Sequence, residues 1–172
     1  MDWTFDQDTC TLTVSGKGNM KDFSFEPAPW ADVKARRVVI EGLETVGLNA
    51  FAGMGTLEEV VLPECMGAIG DNAFDSCDSL KVIVLPKGLK IIGNYAFYHC
   101  GSLDGVEIPE GVEFIGDFAF EYCSSLSYIS IPDTAEYVGE AAFKDCDSLR
   151  KVRVPEKLEA RDRVFEENVE FE

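Results

Sequence analysis

Four of the six cysteines, Cys77, Cys100, Cys123 and Cys146, follow one another at intervals of 23 residues. Three chemistries could use such a series: disulfides, a metal site, or a column of buried thiols. Six cysteines in an exported chain would ordinarily form three disulfides. Zinc needs four ligands around one point, and sulfurs strung in a row cannot surround it tetrahedrally. Met54 occupies the same slot one interval before Cys77, and a slot that also accepts methionine is a packing slot. The expectation is therefore a ladder of reduced, structural thiols, with a disulfide between adjacent copies as the alternative. Cys10 and Cys65 fall outside the series and are expected to be exposed, their pairing left open.

The remaining chemical vocabulary is sparse. His99 is the single histidine, and no serine elbow, phosphate-cradling glycine loop or paired-histidine motif occurs. Gly16-Lys17-Gly18 and Gly53-Met54-Gly55 read as turns. Asp6 with Asp8 and Asp145 with Asp147 lack the twelve-residue calcium loop and read as solvated acidic turns. No catalytic residue, metal or cofactor is expected, and an enzyme is a distant alternative.

The elements that position these residues follow from the period. Phe51, Phe74, Phe97, Phe120 and Phe143 keep the 23-residue step, each preceded by alanine. So do Gly47, Gly70, Gly93, Gly116 and Gly139, the leucines from Leu57 to Leu149, and the prolines from Pro63 to Pro155. Such self-similarity marks a repeat architecture, whose units cannot bury an apolar side alone and must stack around a shared core. In each copy, a stretch such as Leu80 to Leu85 reads as one strand with Leu80, Ile83 and Leu85 inward, stopped by Pro86 because proline cannot donate to a ladder. In the preceding stretch Ala96, Phe97 and Cys100 fall at i, i+1 and i+4, which predicts a short helical turn. Asp71, Asn94, Asp117 and Glu140 after the glycines are placed to cap its start, the glutamate less well. Parallel strands stacked roughly 4.8 Å apart give a solenoid on the order of 25 to 30 Å long.

The ends depart from the period, as solenoid caps do. Residues 1–45 are read as an amino-terminal cap: Trp3-Thr4-Phe5 and residues 11–16 form a hairpin, an irregular stretch follows, and Val38-Val39-Ile40 supplies a first strand. Residues 46–155 hold five repeats. Residues 156–172 are a charged closing cap, in which residues 160–165 read as a shortened half repeat that places Phe165 in the phenylalanine slot. One domain is expected.

Charge narrows the partners. Lys and Arg number 15 against 32 Asp and Glu, a net of −17, whereas nucleic acid and anionic membrane surfaces are bound by positive charge. Six of the basic residues lie between Arg150 and Arg163, and only Lys144 is basic between Ile91 and Leu149. No run approaches the roughly 18 apolar residues of a membrane helix, and the first residues lack a secretory signal pattern. Any export signal is read as absent or removed.

The unit Ile-Gly-Asp-x-Ala-Phe-x-x-Cys-x-Ser-Leu-x-x-Val-x-Ile-Pro, fullest from Ile115 to Pro132, resembles the BspA-type leucine-rich repeat. The segment from Trp3 to Gly18, with Ala28-Pro29-Trp30, is similar to that family's amino-terminal cap. The resemblance implies a leucine-rich repeat solenoid and a noncatalytic, adhesion-type module of a bacterial surface or secreted protein, located outside the cell. A protein or glycan would be the partner, bound by a monomeric chain. A structural spacer without a ligand of its own is the alternative. The family offers no ligand-residue motif to transfer.

Two surfaces offer themselves for binding. The strand positions two and four residues before each proline point outward: Glu59 and Val61, Val82 and Val84, Gly105 and Glu107, Tyr128 and Ser130, Lys151 and Arg153. This face is the favoured site and the second surface the alternative, because Tyr128, between Glu107 and the pair Lys151 and Arg153, has the aromatic and charged composition of an interface hot spot. The second surface gathers Tyr95, Tyr98 and His99, related as i, i+3 and i+4, with Phe118 and Tyr122 one copy further on. Its bland reading is aromatic covering of a thin wall, and its functional reading is a partner site. Should neither bind, the cap around Trp3 and Trp30 is the next place to look.

Overall fold

A computed structural model describes residues 1–158, 161–165 and 169–171. The caps begin as read: β1 (Asp2–Asp6) and β2 (Thr11–Asn19) form an antiparallel hairpin. β3 (Arg37–Val46) then pairs in parallel with β2 and starts the stack. Halfway along β3, Gly42 has φ 68° and a Cβ there would run into the Gly16 carbonyl, so a side chain is excluded by both conformation and space.

From β3 the chain rises as rungs carrying two strand rows. The first row holds β4 (Glu59–Val61). The second opens with β5 (Ala68–Ile69). β6 (Val82–Ile83) returns to the first row, and β7 (Ile91–Ile92) and β8 (Phe114–Ile115) extend the second. β9 (Tyr128–Ser130), β10 (Tyr137–Val138) and β11 (Lys151–Arg153) follow, then α1 (Arg161–Val164) and β12 (Glu170–Phe171). All pairings from β2 onward are parallel. The expected single strand per repeat is thus corrected to two. The second strand is only two residues long and ends at the periodic glycine, too short for alternation to register in the sequence.

The helical turn is also corrected. In residues 70–80 the N–H groups of Ala73, Asp75 and Cys77 bond to carbonyls three residues back, while those of Asn72, Phe74 and Ser76 bond to Asn94, Ala96 and Tyr98 on the next rung. Alternating donors between the rung and its neighbour leaves no i to i+4 ladder for an α-helix. The segment is instead a run of tight turns with left-handed residues at Asn72 and Ser76.

The same closeness reassigns the acidic column. Asp71 Oδ1 accepts from the Asn94 N–H at 2.8 Å, Asn94 Oδ1 from Asp117 N–H at 2.8 Å, and Asp117 Oδ1 from Glu140 N–H at 2.9 Å. These side chains tie each rung to the next and do not cap their own turns. Asp22 begins the series from the cap by accepting from Leu48 N–H at 2.8 Å. Glycine permits the approach: a Cβ on Gly116 would lie 2.5 Å from the Asn94 nitrogen.

The core runs down the axis as a stack of rings. Phe51, Phe74, Phe97, Phe120, Phe143 and Phe165 lie 4.9 to 5.4 Å apart, nearly parallel. Trp30 heads the column over Phe51 at 5.6 Å, and its indole N–H donates to the Ala50 carbonyl at 2.8 Å. Phe165 closes the stack as expected, although residues 159, 160, 166–168 and 172 of the closing cap lie outside the described residues.

Candidate binding surfaces

The cysteine series lines the core beside the rings. Cys77, Cys100, Cys123 and Cys146 are buried and unpaired. Each thiol donates to the carbonyl of the phenylalanine one rung before, at 3.2 to 3.3 Å. Burial pushes the Cys77 and Cys146 thiols up to about 12 and raises Cys100 and Cys123 as well, so these sulfurs stay protonated and unreactive. Cys10 is half-buried and Cys65 exposed, both unpaired. Among the described residues no group of three or more His, Cys, Asp or Glu could hold a metal ion, and no helix is long and apolar enough to cross a membrane.

On the first strand row, Tyr128 is exposed at the start of β9, and its register partner on β11 is Lys151. Arg153 is the register partner of Ser130. Its guanidinium pairs with Asp133 at 3.2 Å and reaches the Ile131 carbonyl at 3.4 Å. Glu107 stands a rung away, outside any strand, beside Val84, Pro86 and Pro109. The structure therefore joins Tyr128 to Lys151, commits Arg153 to an internal partner, and sets Glu107 in a separate depression.

The aromatic patch is brought together more completely. Tyr95 stacks on Phe118 at 4.8 Å and His99 on Tyr122 at 4.5 Å, while Tyr98 meets Tyr95, His99 and Tyr122 edge-on at 5.4, 4.7 and 5.6 Å. Helical spacing is not what gathers them, because the segments are not helical. Each rung has two left-handed turn positions, and stacking sets them in columns: Asn49, Asn72, Tyr95, Phe118 and Ala141 in one, Gly53, Ser76, His99, Tyr122 and Asp145 in the other. Small or polar residues suit that backbone, and a bulky ring there costs of order 1 kcal/mol or more. Glu121, only 9% exposed, lies in the same rung as Tyr122. Burial, then Asp145, pushes its carboxyl up. Asp145 and Glu121 in turn raise the Tyr122 hydroxyl, while burial first and then Glu121 raise that of Tyr98.

A third surface escaped the sequence reading. The outward positions of the second strand row place Ile91, Phe114 and Tyr137 side by side, with Phe114 and Tyr137 stacked at 4.8 Å and the Tyr137 hydroxyl donating to Asp117 Oδ1 at 2.7 Å. The signal was an apolar residue two places before three successive glycines. Trp30, by contrast, is fully buried, so the cap's exposed tryptophan is Trp3 alone.

Residues 44–172 match the BspA-type leucine-rich repeat region in 6 copies. The chain belongs to the BspA-type leucine-rich repeat family. Among solved structures it is similar to a leucine-rich repeat protein of T. pallidum, with 27% identity and a TM-score of 0.70 over 90% of this chain and 81% of that one. A leucine-rich cell surface protein of Faecalibacterium prausnitzii shares 24% identity and a TM-score of 0.58 over 87% of this chain and 52% of that one. A leucine-rich repeat protein of Bacteroides ovatus shares 26% identity and a TM-score of 0.56 over 91% and 46%. The BspA-type chain spans about half the length of the latter two. No curated protein matches it. As a bacterial-type repeat protein it is consistent with a noncatalytic module.

Proposed function

We propose that the chain is an interaction module of a bacterial surface or secreted protein, taking a protein or glycan partner on the aromatic patch of Tyr95, Tyr98, His99, Phe118 and Tyr122. One observation carries the reading. Four of these five rings occupy left-handed positions that Asn, Gly, Ser, Ala and Asp fill on the other rungs, so the fold itself does not require aromatics there, and strain of this kind clusters at functional sites. A spacer would have no use for them. The Tyr128 surface is the weaker candidate because Arg153 is already held by Asp133. A location outside the cell accords with the surface protein of F. prausnitzii that shares this fold.

A pull-down or glycan array with the purified chain tests the role, and repeated blanks would favour the spacer. With a partner in hand, Tyr98→Ala with Tyr122→Ala is expected to weaken binding by about thirtyfold, the scale of an aromatic hot spot. Tyr128→Ala with Arg153→Ala should bind like the parent. Circular dichroism confirms that both pairs fold. The reverse pattern would move the site to the strand face.

A further inference from the structure

The two aromatic columns of the patch end at the same rung. Tyr95 and Phe118 are followed there by Ala141, and His99 and Tyr122 by Asp145. Centroid spacings of 4.8 and 4.5 Å with interplanar angles of 14° and 24° stack these rings along the solenoid axis, so their faces look toward the neighbouring rungs. Ala141 and Asp145 are short, and the outer faces of Phe118 and Tyr122 stand above them as the wall of a step. Tyr122 is 39% exposed there.

The step holds a carboxylate without a partner. Among the described residues Glu121 is the one charged side chain that is nine-tenths buried, and no hydrogen bond or ion pair engages it. Its oxygens still reach solvent, since every side-chain oxygen or nitrogen sealed from solvent is hydrogen-bonded. It faces the rings: after Asp145 it is the charge that raises the Tyr122 hydroxyl, and after burial it is what raises that of Tyr98. Lys144 and His99 oppose the upward push of burial and Asp145 on Glu121, yet neither pairs with it. A buried carboxylate left without a hydrogen bond costs stability. The same slot holds Ala52, Asp75, Tyr98 and Lys144 on other rungs, so the repeat does not require an acid there.

A planar cation answers both features. A guanidinium stacks on ring faces by cation–π attraction and offers a fork of N–H donors that matches a carboxylate, whereas an ammonium is a compact, strongly hydrated charge. A neutral sugar would bring no charge to Glu121. We propose that this step takes an arginine side chain of a partner polypeptide, its guanidinium stacked on Tyr122 and its N–H groups donated to Glu121. The proposal rests on the patch being the binding site and names what it binds.

The test uses the purified chain at physiological salt and fluorescent glycine-serine peptides carrying arginine, lysine or citrulline, the neutral planar analogue of arginine, followed by anisotropy. The arginine peptide is expected to bind, the lysine peptide about fivefold more weakly, and the citrulline peptide not at all. Glu121→Gln, and Tyr122→Asn, which suits the left-handed backbone, should each weaken arginine binding about tenfold. Glu64→Gln, the same change of charge between β4 and β5, should alter it less than about twofold. The melting temperature of Glu121→Gln should hold or rise; a fall would make the carboxylate structural and overturn its role as counter-charge. Equal binding of arginine and lysine peptides, or equal losses in Glu121→Gln and Glu64→Gln, would mean general attraction to an acidic protein and would overturn the proposal. No arginine binding, while a pull-down partner still loses affinity for the Tyr98 and Tyr122 pair of variants, would overturn the arginine alone and leave the module. No effect on either would overturn both.

Discussion

The two strand rows of the solenoid are built by the same 23-residue unit, yet the second runs unbroken from β3 through β5, β7 and β8 to β10 whereas the first parts between β6 and β9. The difference lies in what each row presents outward. The second row offers Ala68, Ile91, Phe114 and Tyr137 in register, and large side chains packed across neighbouring strands stabilise a ladder. It also ends against the glycine column, where contact between rungs is closest. The first row carries Glu59, Val82, Tyr128 and Lys151 in one outward column, but Gly105 at the rung between, with nothing within 4 Å of where its Cβ would stand. Glycine inside a strand has no side chain to pack and weakens it. Uniformity belongs to the interior, and individuality is confined to positions the core does not read.

The sharpest way to break this comparison is thiol chemistry, because Cys100 belongs to the same rung as Gly105. At pH 8 the four core cysteines should react with a disulfide reagent about a thousandfold more slowly than Cys65, since their thiolate fraction is suppressed and access is blocked. In denaturant without reductant all six should titrate. Fast reaction at Cys100 in the folded protein would show that the opening reaches the core. The same burial fixes the sign of an alkaline effect. As pH rises from the ordinary thiol value of 9.0 toward about 12, the unfolded chain ionises its cysteines while the fold keeps Cys77 and Cys146 protonated. Stability should be intact below pH 9 and fall through that window, visible as a declining melting temperature.

Next in size is the ring column. Phe120→Ala should cost about 3 to 5 kcal/mol through lost burial and the cavity left behind. Phe118→Asn, two residues away at a left-handed position, should cost little or stabilise. Equal losses, measured by chemical denaturation, would mean that the outer rings are part of the core. Smaller again is Gly116→Ala, expected to cost about 1 to 3 kcal/mol, because the new methyl meets the backbone of the rung below at Asn94.

How much of this was legible follows the same division. Phe97, Cys100 and Leu103 recur because one cavity shape is repeated, so the sequence displays the core, the rung spacing and the closing role of Phe165. The Asp71, Asn94 and Asp117 column was visible too, but its partners were not: only stacking shows that the nearest N–H belongs to the next rung. The spacing of Ala96, Phe97 and Cys100 fits a helix and a run of tight turns equally, and what decides is that alternate N–H groups leave the rung. The aromatic patch was found for an incomplete reason, since its members share columns of the stack. The break at Gly105 leaves a weaker trace, a glycine in a slot that elsewhere holds larger side chains.

That trace gives the smallest and most discriminating change. Gly105 lies outside the left-handed region and faces open space, so Gly105→Val adds no clash and no conformational strain. It removes backbone freedom from the unfolded chain and supplies a β-branched side chain between Val82 and Tyr128, which should stabilise the fold by about 0.4 to 1 kcal/mol. If the missing side chain is what holds the ladder open, residues 105–108 should pair with β6 and their amides should slow in hydrogen exchange. If stability rises while exchange stays as it was, the opening is set by the turns around Pro86 and Pro109, and the glycine merely occupies it. A loss of stability would mean that the outward column has no room to close, and that the two rows differ by more than one side chain.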